Sequence, residues 1–260
     1  MRPPVFLADG AALTGDTVVL AGAEGRHATT VRRLGAGERA DLTDGAGTVA
    51  ECVVESVRPG QLELAVLARR TDPGPDPRVV VVQAIPKGDR GELAVETMTE
   101  VGVDVVVPWS AERCVVRWRG DRADKGVARW RSTALAASKQ SRRSWFPEVT
   151  PVAGTAAVAD LVQRAALALL LDPEAPQSLA SLAAQATGTG RPARRGTTTG
   201  NGASDIILIV GPEGGISEQE AAVLTDAGAI GARLGPTVLR ASSAGAVAAA
   251  LVMSSAGRWA

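Results

Sequence analysis

Apolar and polar positions divide the chain into two regimes. Between residues 16 and 70 the apolar residues come in short alternation. Gln61 to Ala68 sets Leu62, Leu64 and Val66 on one side, and Thr48 to Val57 alternates in part, interrupted by Glu51 and Glu55. A period of two marks strands with one buried and one wet face. Asp44-Gly45 is a turn dipeptide between that strand and the preceding Ala40-Asp41-Leu42. Gly22 to Leu34 reads as one short helix with His27, Val31 and Leu34 on a common face. This stretch predicts a small, mostly β unit.

Asp72-Pro73-Gly74-Pro75-Asp76-Pro77 is closed to both helix and central strand by its prolines. It sets the expected division: a first domain over 1–72, a linker over 73–77 and a second domain over 78–260. Beyond it the apolar residues run continuously, at Val79 to Ile85, Val103 to Val107, Leu167 to Leu171, Ile206 to Val210 and Ala229 to Leu234. Helical spacing fills the intervals, over Gly91–Val101, Lys125–Ser144, Thr155–Ala165, Leu179–Ala186 and Ser217–Ala227. Strands apolar on both faces that alternate with helices imply a parallel sheet covered on two sides, an α/β fold. Ser217 and Glu220 have the spacing of a capping box, and Gly228 sits where a helix-ending glycine belongs. Thr187 to Ser204, rich in Gly, Thr and Arg, predicts a mobile loop.

Composition adds exclusions. With 45% hydrophobic and 22% charged residues the chain is an ordinary globular sequence. Two distant cysteines, Cys52 and Cys114, and a single histidine, His27, leave no disulfide scaffold and no metal site to expect. Met1 to Leu13 carries no apolar signal core, and the longest apolar run, Ala241 to Met253, is too short and alanine-rich to span a bilayer. A soluble cytoplasmic protein is expected, with no membrane partner. The formal net charge is zero, but residues 110–145 hold ten Lys and Arg against three acids, a local +7. Such a block is either a phosphate-backbone footprint or a solvated basic helix.

The familiar nucleotide and hydrolase signatures are absent. Gly35 to Ala40, Gly45 to Ala50 and Gly188 to Ala193 match a dinucleotide-binding spacing, yet none runs from a strand through a glycine turn into a helix. No phosphate-loop motif or nucleophile elbow occurs. Two other segments carry the chemistry. In Ile206 to Ser217 a buried strand ends in Gly211-Pro212-Glu213-Gly214-Gly215 and feeds the capped helix. Ligands of parallel sheets lie at such turns, although a tight turn without ligand has the same pattern. In Leu234-Gly235-Pro236-Thr237-Val238-Leu239-Arg240 a strand ends, turns, and delivers a lone arginine to an alanine-rich helix. An arginine there needs an anionic partner, a ligand or a surface acid.

Together these segments resemble the SPOUT methyltransferases. Within them the chain is similar to the ribosomal small subunit methyltransferase E family, the small-subunit ribosomal RNA uracil-N3 methyltransferases. Lys87-Gly88-Asp89-Arg90, Glu100-Val101-Gly102-Val103, Pro108 and Glu112-Arg113-Cys114 resemble that family's first catalytic-domain segment. Lys139-Gln140-Ser141-Arg142-Arg143 with Pro147-Glu148 resembles its central basic segment, and His27 to Leu34 with Gly37-Glu38 its N-terminal PUA-like domain.

The resemblance implies a PUA-like β-barrel ahead of a parallel α/β domain with a C-terminal deep trefoil knot. It implies S-adenosylmethionine as cofactor, held by Leu171, Asp172 and Pro173, by Gly211 to Gly215 with Pro212, Glu213 and Gly214, and by Leu234, Gly235, Val238, Leu239 and Arg240. It implies a homodimer whose partner completes the site, and 16S ribosomal RNA of the small subunit as substrate. His27, Arg32, Arg33, Lys87, Arg90, Arg113, Arg117, Arg119, Lys139, Arg142 and Arg143 are the RNA-binding residues it suggests. Arg240 is the catalytic candidate: a fixed cation can stabilise a uracil losing its N3 proton, while arginine itself cannot act as a base. The family often carries Thr-Glu-Thr after the Leu-Arg pair, where this chain has Ala241-Ser242-Ser243, and its loop at 187–204 is longer than usual. Two rivals share parts of the pattern. One is a SPOUT enzyme methylating a ribose 2′-OH, and the other is a non-catalytic RNA-binding assembly protein.

Overall fold

The computed structural model of the protein describes residues 3–187 and 204–259. The loop expected over Thr187–Ser204 therefore lies, but for its two end residues, outside the described residues. Backbone contacts divide the chain into two compact units, 3–74 with Ser138–Phe146, and Pro75–Ala137 with 147–259.

The first unit is a five-stranded sheet in the order β1-β3-β4-β5-β2, from β1 (Val5–Leu7), β2 (Thr17–Leu20), β3 (Arg39–Thr43), β4 (Thr48–Arg58) and β5 (Gln61–Thr71). β1 pairs parallel with β3 and the remaining pairs are antiparallel. The alternating Leu62 and Leu64 of β5 join Phe6 and Leu42 in a closed core. The edge strands β1 and β2 are not paired with each other among the described residues, so the ladder stays open where a barrel was expected.

The helix expected over Gly22–Leu34 is split. A short α1 (Gly22–Arg26) gives way to a π-helical turn over His27–Val31, closed by the Arg32 N–H donating to the His27 carbonyl at 3.0 Å. The wider turn breaks the 3.6-residue phase. Val31 is thereby turned out, 66% exposed, while Leu34 reaches the core at 8%.

The sequence division at 73–77 is refined rather than kept. Ser138–Phe146, assigned above to the second domain, packs with the first unit. Gly47 at φ +102° lies against the Trp145 indole, where a Cβ would stand 2.8 Å from the ring. The Trp145 indole N–H donates to the Asp72 carbonyl at 3.1 Å. Lys139 pairs with Glu24 and Arg142 with Asp41, both at 2.7 Å. None of these contacts is local in sequence, so no window of the chain announces them.

The second unit holds a six-stranded, all-parallel sheet in the order β11-β9-β10-β6-β7-β8. Its strands are β6 (Val79–Ala84), β7 (Val105–Trp109), β8 (Glu148–Val149), β9 (Leu167–Leu171), β10 (Ile206–Val210) and β11 (Ile230–Ala232). Every residue of β6, β7 and β10 is buried, as continuous apolar runs require. The helices are α2 (Arg90–Val101), α3 (Asp121–Ser141), α4 (Thr155–Arg164), α5 (Leu179–Thr187), α6 (Glu218–Asp226) and α7 (Ala241–Ser255).

α7 lies on β6 and β10 between α2 and α5. Its alanines and Gly245 allow that approach, since a Cβ at Gly245 would stand 2.8 Å from the Met98 sulfur. The strand expected at Val103 begins only at Val105, because Gly102 at φ +114° ends α2 and Asp104 bonds the Val79 N–H instead. No helix of the described residues is long and apolar enough to cross a membrane, and none of them cluster as metal ligands.

Arg142 yields a test. Burial pushes the Asp41 carboxyl above its ordinary value, and the Arg142 guanidinium beside it opposes that push. The folded state therefore favours protonated Asp41, and stability falls as pH rises from the ordinary carboxylate range through the raised value. Arg142→Met should steepen that fall. Exposed pairs are worth ~1 kcal/mol or less and breaking buried ones costs ~3–5 kcal/mol, so this half-buried pair should cost about 2 kcal/mol at pH 7. Denaturant unfolding at pH 7 and pH 3 measures it, and the loss should shrink at the lower pH.

Candidate active site

Because β9, β10 and β11 run parallel side by side, their carboxyl ends open on the same edge of the sheet. The turns that follow them enclose a cavity of about 560 Å³. Leu171, Asp172 and Pro173 come from the first turn, Gly211, Pro212, Glu213 and Gly215 from the second, and Leu234, Gly235, Val238, Leu239 and Arg240 from the third. The spacing of three segments far apart in sequence is thus gathered into one wall. This is the crevice in which open parallel sheets hold ligands.

Local bonds shape each turn. The Asp172 N–H donates to the Ala232 carbonyl at 3.1 Å, pinning the β9 turn to β11. The Gly215 N–H donates to the Pro212 carbonyl at 2.9 Å, and Gly215 stands at φ +75°, a left-handed turn that glycine allows. Gly211 is required for a different reason than close approach to a ligand: a Cβ there would meet Ile216 Cγ1 of its own loop at 2.6 Å. At Gly235 a Cβ would meet nothing within 4 Å.

The wall carries guanidinium groups from Arg90, Arg233 and Arg240 and carboxylates from Asp172 and Glu213. Arg90, grouped above with the RNA-binding residues, lines the cavity and pairs with Glu213 at 3.3 Å. Arg240 is exposed at the N-cap of α7, its carbonyl taking the Ser243 and Ala244 N–H groups, and its side chain forms no ion pair among the described residues. Ser242, at the position of the family's usual Glu, is only 5% exposed and does not line the cavity. Arg233 was missed in the sequence, although it adjoins Leu234, and Thr237, inside the quoted segment, lines the cavity as well.

Gly214 alone of the expected cofactor residues lies outside the wall. It rests instead on Arg113, whose guanidinium donates to the Gly214 carbonyl at 3.3 Å. Arg113 thus props the glycine loop from behind. Behind both stands Glu220, 5% exposed. One of its oxygens accepts the Glu112 N–H at 2.9 Å and the Thr155 hydroxyl at 2.8 Å, and the other accepts the Ser217 hydroxyl and N–H at 3.2 and 3.4 Å. The capping box read from the sequence is present, and the same carboxylate also ties the loop after β7 and the start of α4 to α6.

Among the other expected RNA-binding residues, Lys87, Arg117 and Arg119 are exposed on the second unit. His27, Arg32 and Arg33 are exposed on the first, with the His27 ring edge-on to Phe6 at 5.9 Å. Lys139 and Arg142 hold the ion pairs described above, and Arg143 donates to the Trp145 carbonyl at 2.7 Å. Burial pushes the Cys52 thiol up to about 11 and raises Cys114 as well, so neither is poised as a thiolate nucleophile.

A family model for an RNA methyltransferase domain matches residues 74–253, and one for an RNA methyltransferase PUA domain matches residues 20–67. Fold, cavity and these matches define an RNA methyltransferase with a PUA-like domain before its catalytic domain. The ribosomal RNA small subunit methyltransferase E of Mycobacterium bovis is 44% identical over 98% of this chain and 93% of its own. The structure of that enzyme from Neisseria gonorrhoeae, bound to S-adenosyl methionine, is 27% identical with a TM-score of 0.78, covering 97% of this chain and 98% of its own. A putative methyltransferase from Legionella pneumophila in complex with bound cofactor SAM is 25% identical with a TM-score of 0.80, covering 98% of both chains. The chain belongs to the ribosomal RNA small subunit methyltransferase E family.

Glu220 is the residue on which this arrangement can be tested. Glu220→Ala strands buried donors of Ser217 and half-buried donors of Glu112 and Thr155, and removes half of a capping box. Losses of ~1–3 kcal/mol for stranded donors and ~1 kcal/mol for a cap predict about 3 kcal/mol of destabilisation in a denaturant titration. Glu220→Gln, which keeps an acceptor, should lose clearly less.

Proposed function

We propose that the protein uses S-adenosylmethionine to methylate N3 of a uridine in 16S ribosomal RNA of the small subunit. The observation that carries this reading is the cavity itself, with Arg240, which forms no ion pair among the described residues, on its wall. Its volume of about 560 Å³ falls in the roughly 300–1,000 Å³ range of small-molecule sites. Leu171, Leu234, Val238 and Leu239 offer an apolar lining, while Asp172, Glu213, Arg90 and Arg233 offer charged ends to a zwitterionic ligand. The residues present therefore fit the cofactor. When bound, it supplies an electrophilic methyl group.

The chain's own residues must do the rest. Uracil N3 carries a proton and lies on the pairing edge, so the base has to be unpaired or flipped out. Arg240 then faces the charge that develops as the proton leaves, and a preorganised cation lowers that barrier without reorganising. The carboxylates on the wall are Asp172 and Glu213, and Glu213 is already held by Arg90. The only histidine, His27, belongs to the first unit, so no histidine base serves this cavity from its own unit.

The finer parts of the reading follow the family resemblance. The segment Leu234–Arg240 closes a deep trefoil knot, the active form is a homodimer whose second copy completes the site, and the enzyme works in the cytoplasm. RNA phosphates are met by the exposed Arg32, Arg33, Lys87, Arg117 and Arg119, with His27, Arg90, Arg113, Lys139, Arg142 and Arg143 contributing where their own bonds permit. Small-subunit particles and naked RNA from a strain lacking the gene, incubated with the enzyme and labelled cofactor, test the assignment. Mass spectrometry should find 3-methyluridine, and a 2′-O-methylated nucleoside would overturn it.

Arg240→Ala separates chemistry from binding. Calorimetric cofactor affinity should survive, while single-turnover methylation falls by roughly 10²–10³, as for loss of an oxyanion donor. Ser242→Ala, buried and off the wall, should cost little. Early melting and lost cofactor binding in Arg240→Ala would mark the arginine as structural.

A further inference from the structure

We propose that a second cavity of the catalytic unit, beside the first turn of α2 and the start of α3, binds an unpaired nucleotide of the RNA substrate. The cavity measures about 830 Å³. Trp118 and Trp130 contribute to its wall, packed edge to face with ring centres 5.2 Å apart. Two glycines hold the indoles in place. A Cβ at Gly91 would stand 2.8 Å from Trp130, and one at Gly126 2.7 Å from Trp118. Trp130 is fully buried, its indole N–H packed toward Gly91 with no acceptor among the described residues.

The rim is mainly basic. Arg122, Lys125 and Arg129 stand three and four residues apart, along one face of α3, and all line the cavity. Arg129 is paired with Glu92 at 3.3 Å, the single acid of the lining. Arg122 and Lys125 are exposed and form no ion pair among the described residues. An aromatic and apolar floor with exposed cations at its edge matches a nucleotide: base against the floor, phosphate at the rim.

Its position gives the site a purpose. Pro86, Gly88, Gly91 and Glu92 line this cavity, while Arg90 of the same short segment lines the first. Adjacent residues of one short segment thus serve the two cavities. Extruding one base from RNA unstacks its neighbours, and a site next door that captures one of them holds the strand open while the target base is methylated. This inference rests on the proposed RNA methyltransferase activity.

Two measurements test it, on the full chain with a substrate RNA fragment. First, Arg122→Ala with Lys125→Ala changes only exposed side chains. RNA affinity by anisotropy should fall about tenfold. Its salt slope should drop by about 1.4, two contacts at ~0.7 each for a single strand. The KM for RNA should rise while kcat and cofactor affinity hold. Second, 4-thiouridine placed on either side of the target should crosslink on irradiation to peptides spanning 116–130. Unchanged affinity and slope, or crosslinks confined to other peptides, would overturn the nucleotide site while wild-type methylation stands. Absence of RNA methylation by the wild type would sink the functional reading and this inference together.

Discussion

The catalytic unit depends on β10 being paired on both sides. Ile206 to Val210 are all buried, hydrogen-bonded in parallel to β9 on one flank and β6 on the other. Only with that strand in place do three turns separated by dozens of residues open on one edge. Yet a strand apolar on both faces carries little information about its own register. A slip of one residue exchanges its two faces, and here both faces are equally apolar. The register is fixed at the amino ends instead. Arg78, just before β6, grips Asp205, just before β10, through two bonds of 3.0 and 2.7 Å. Asp104, just before β7, accepts the Val79 N–H at 2.8 Å and is held by Arg258 from beyond α7. Charge at one end of the sheet thus sets the geometry of turns at the other.

Glu220 plays the complementary part at the carboxyl edge. Its ties to Glu112, Thr155 and Ser217 join the loop after β7, the start of α4 and the start of α6. The loop so fixed carries Arg113, and Arg113 carries Gly214. A rigid second layer of this kind is what a site must have if groups on loops are to keep their positions to within a fraction of an ångström. It also explains why Gly214 belongs to the motif without lining the cavity.

The sequence made the strands of the catalytic unit legible because burial on both faces leaves an unbroken apolar run. Leu167–Leu171 and Ile206–Val210 are read to the residue. The capping box was equally legible, since its partners lie three residues apart. What the sequence hid was long-range. Ser138–Phe146 looks like the end of a basic helix, and only the approach of Gly47 to Trp145 and of Asp41 to Arg142 reveals it as part of the first unit. Arg90 looks like one more cation until Glu213, 123 residues away, is found beside it. Val31 was misread for a local reason, a π-turn that no propensity scale signals.

The basic block shows how much charge a structure can withdraw from a count. Of its ten cations, Arg129, Lys139 and Arg142 face carboxylates. Arg113, Arg117, Arg131 and Arg143 donate to backbone carbonyls. A cation on a carbonyl keeps its charge uncountered but loses its freedom, and one on a carboxylate also has its charge countered by the partner. Arg119, Arg122 and Lys125 are left, all exposed and without such a bond among the described residues. They fall within seven consecutive residues, and two of them rim the second cavity. A local charge of +7 therefore reduces to a compact group of free cations next to an apolar floor. Long-range attraction still draws on the whole block, because Coulomb fields sum over bound and unbound cations alike. Close contact with a phosphate needs a side chain that can move to meet it, and that requirement selects the 119–125 stretch.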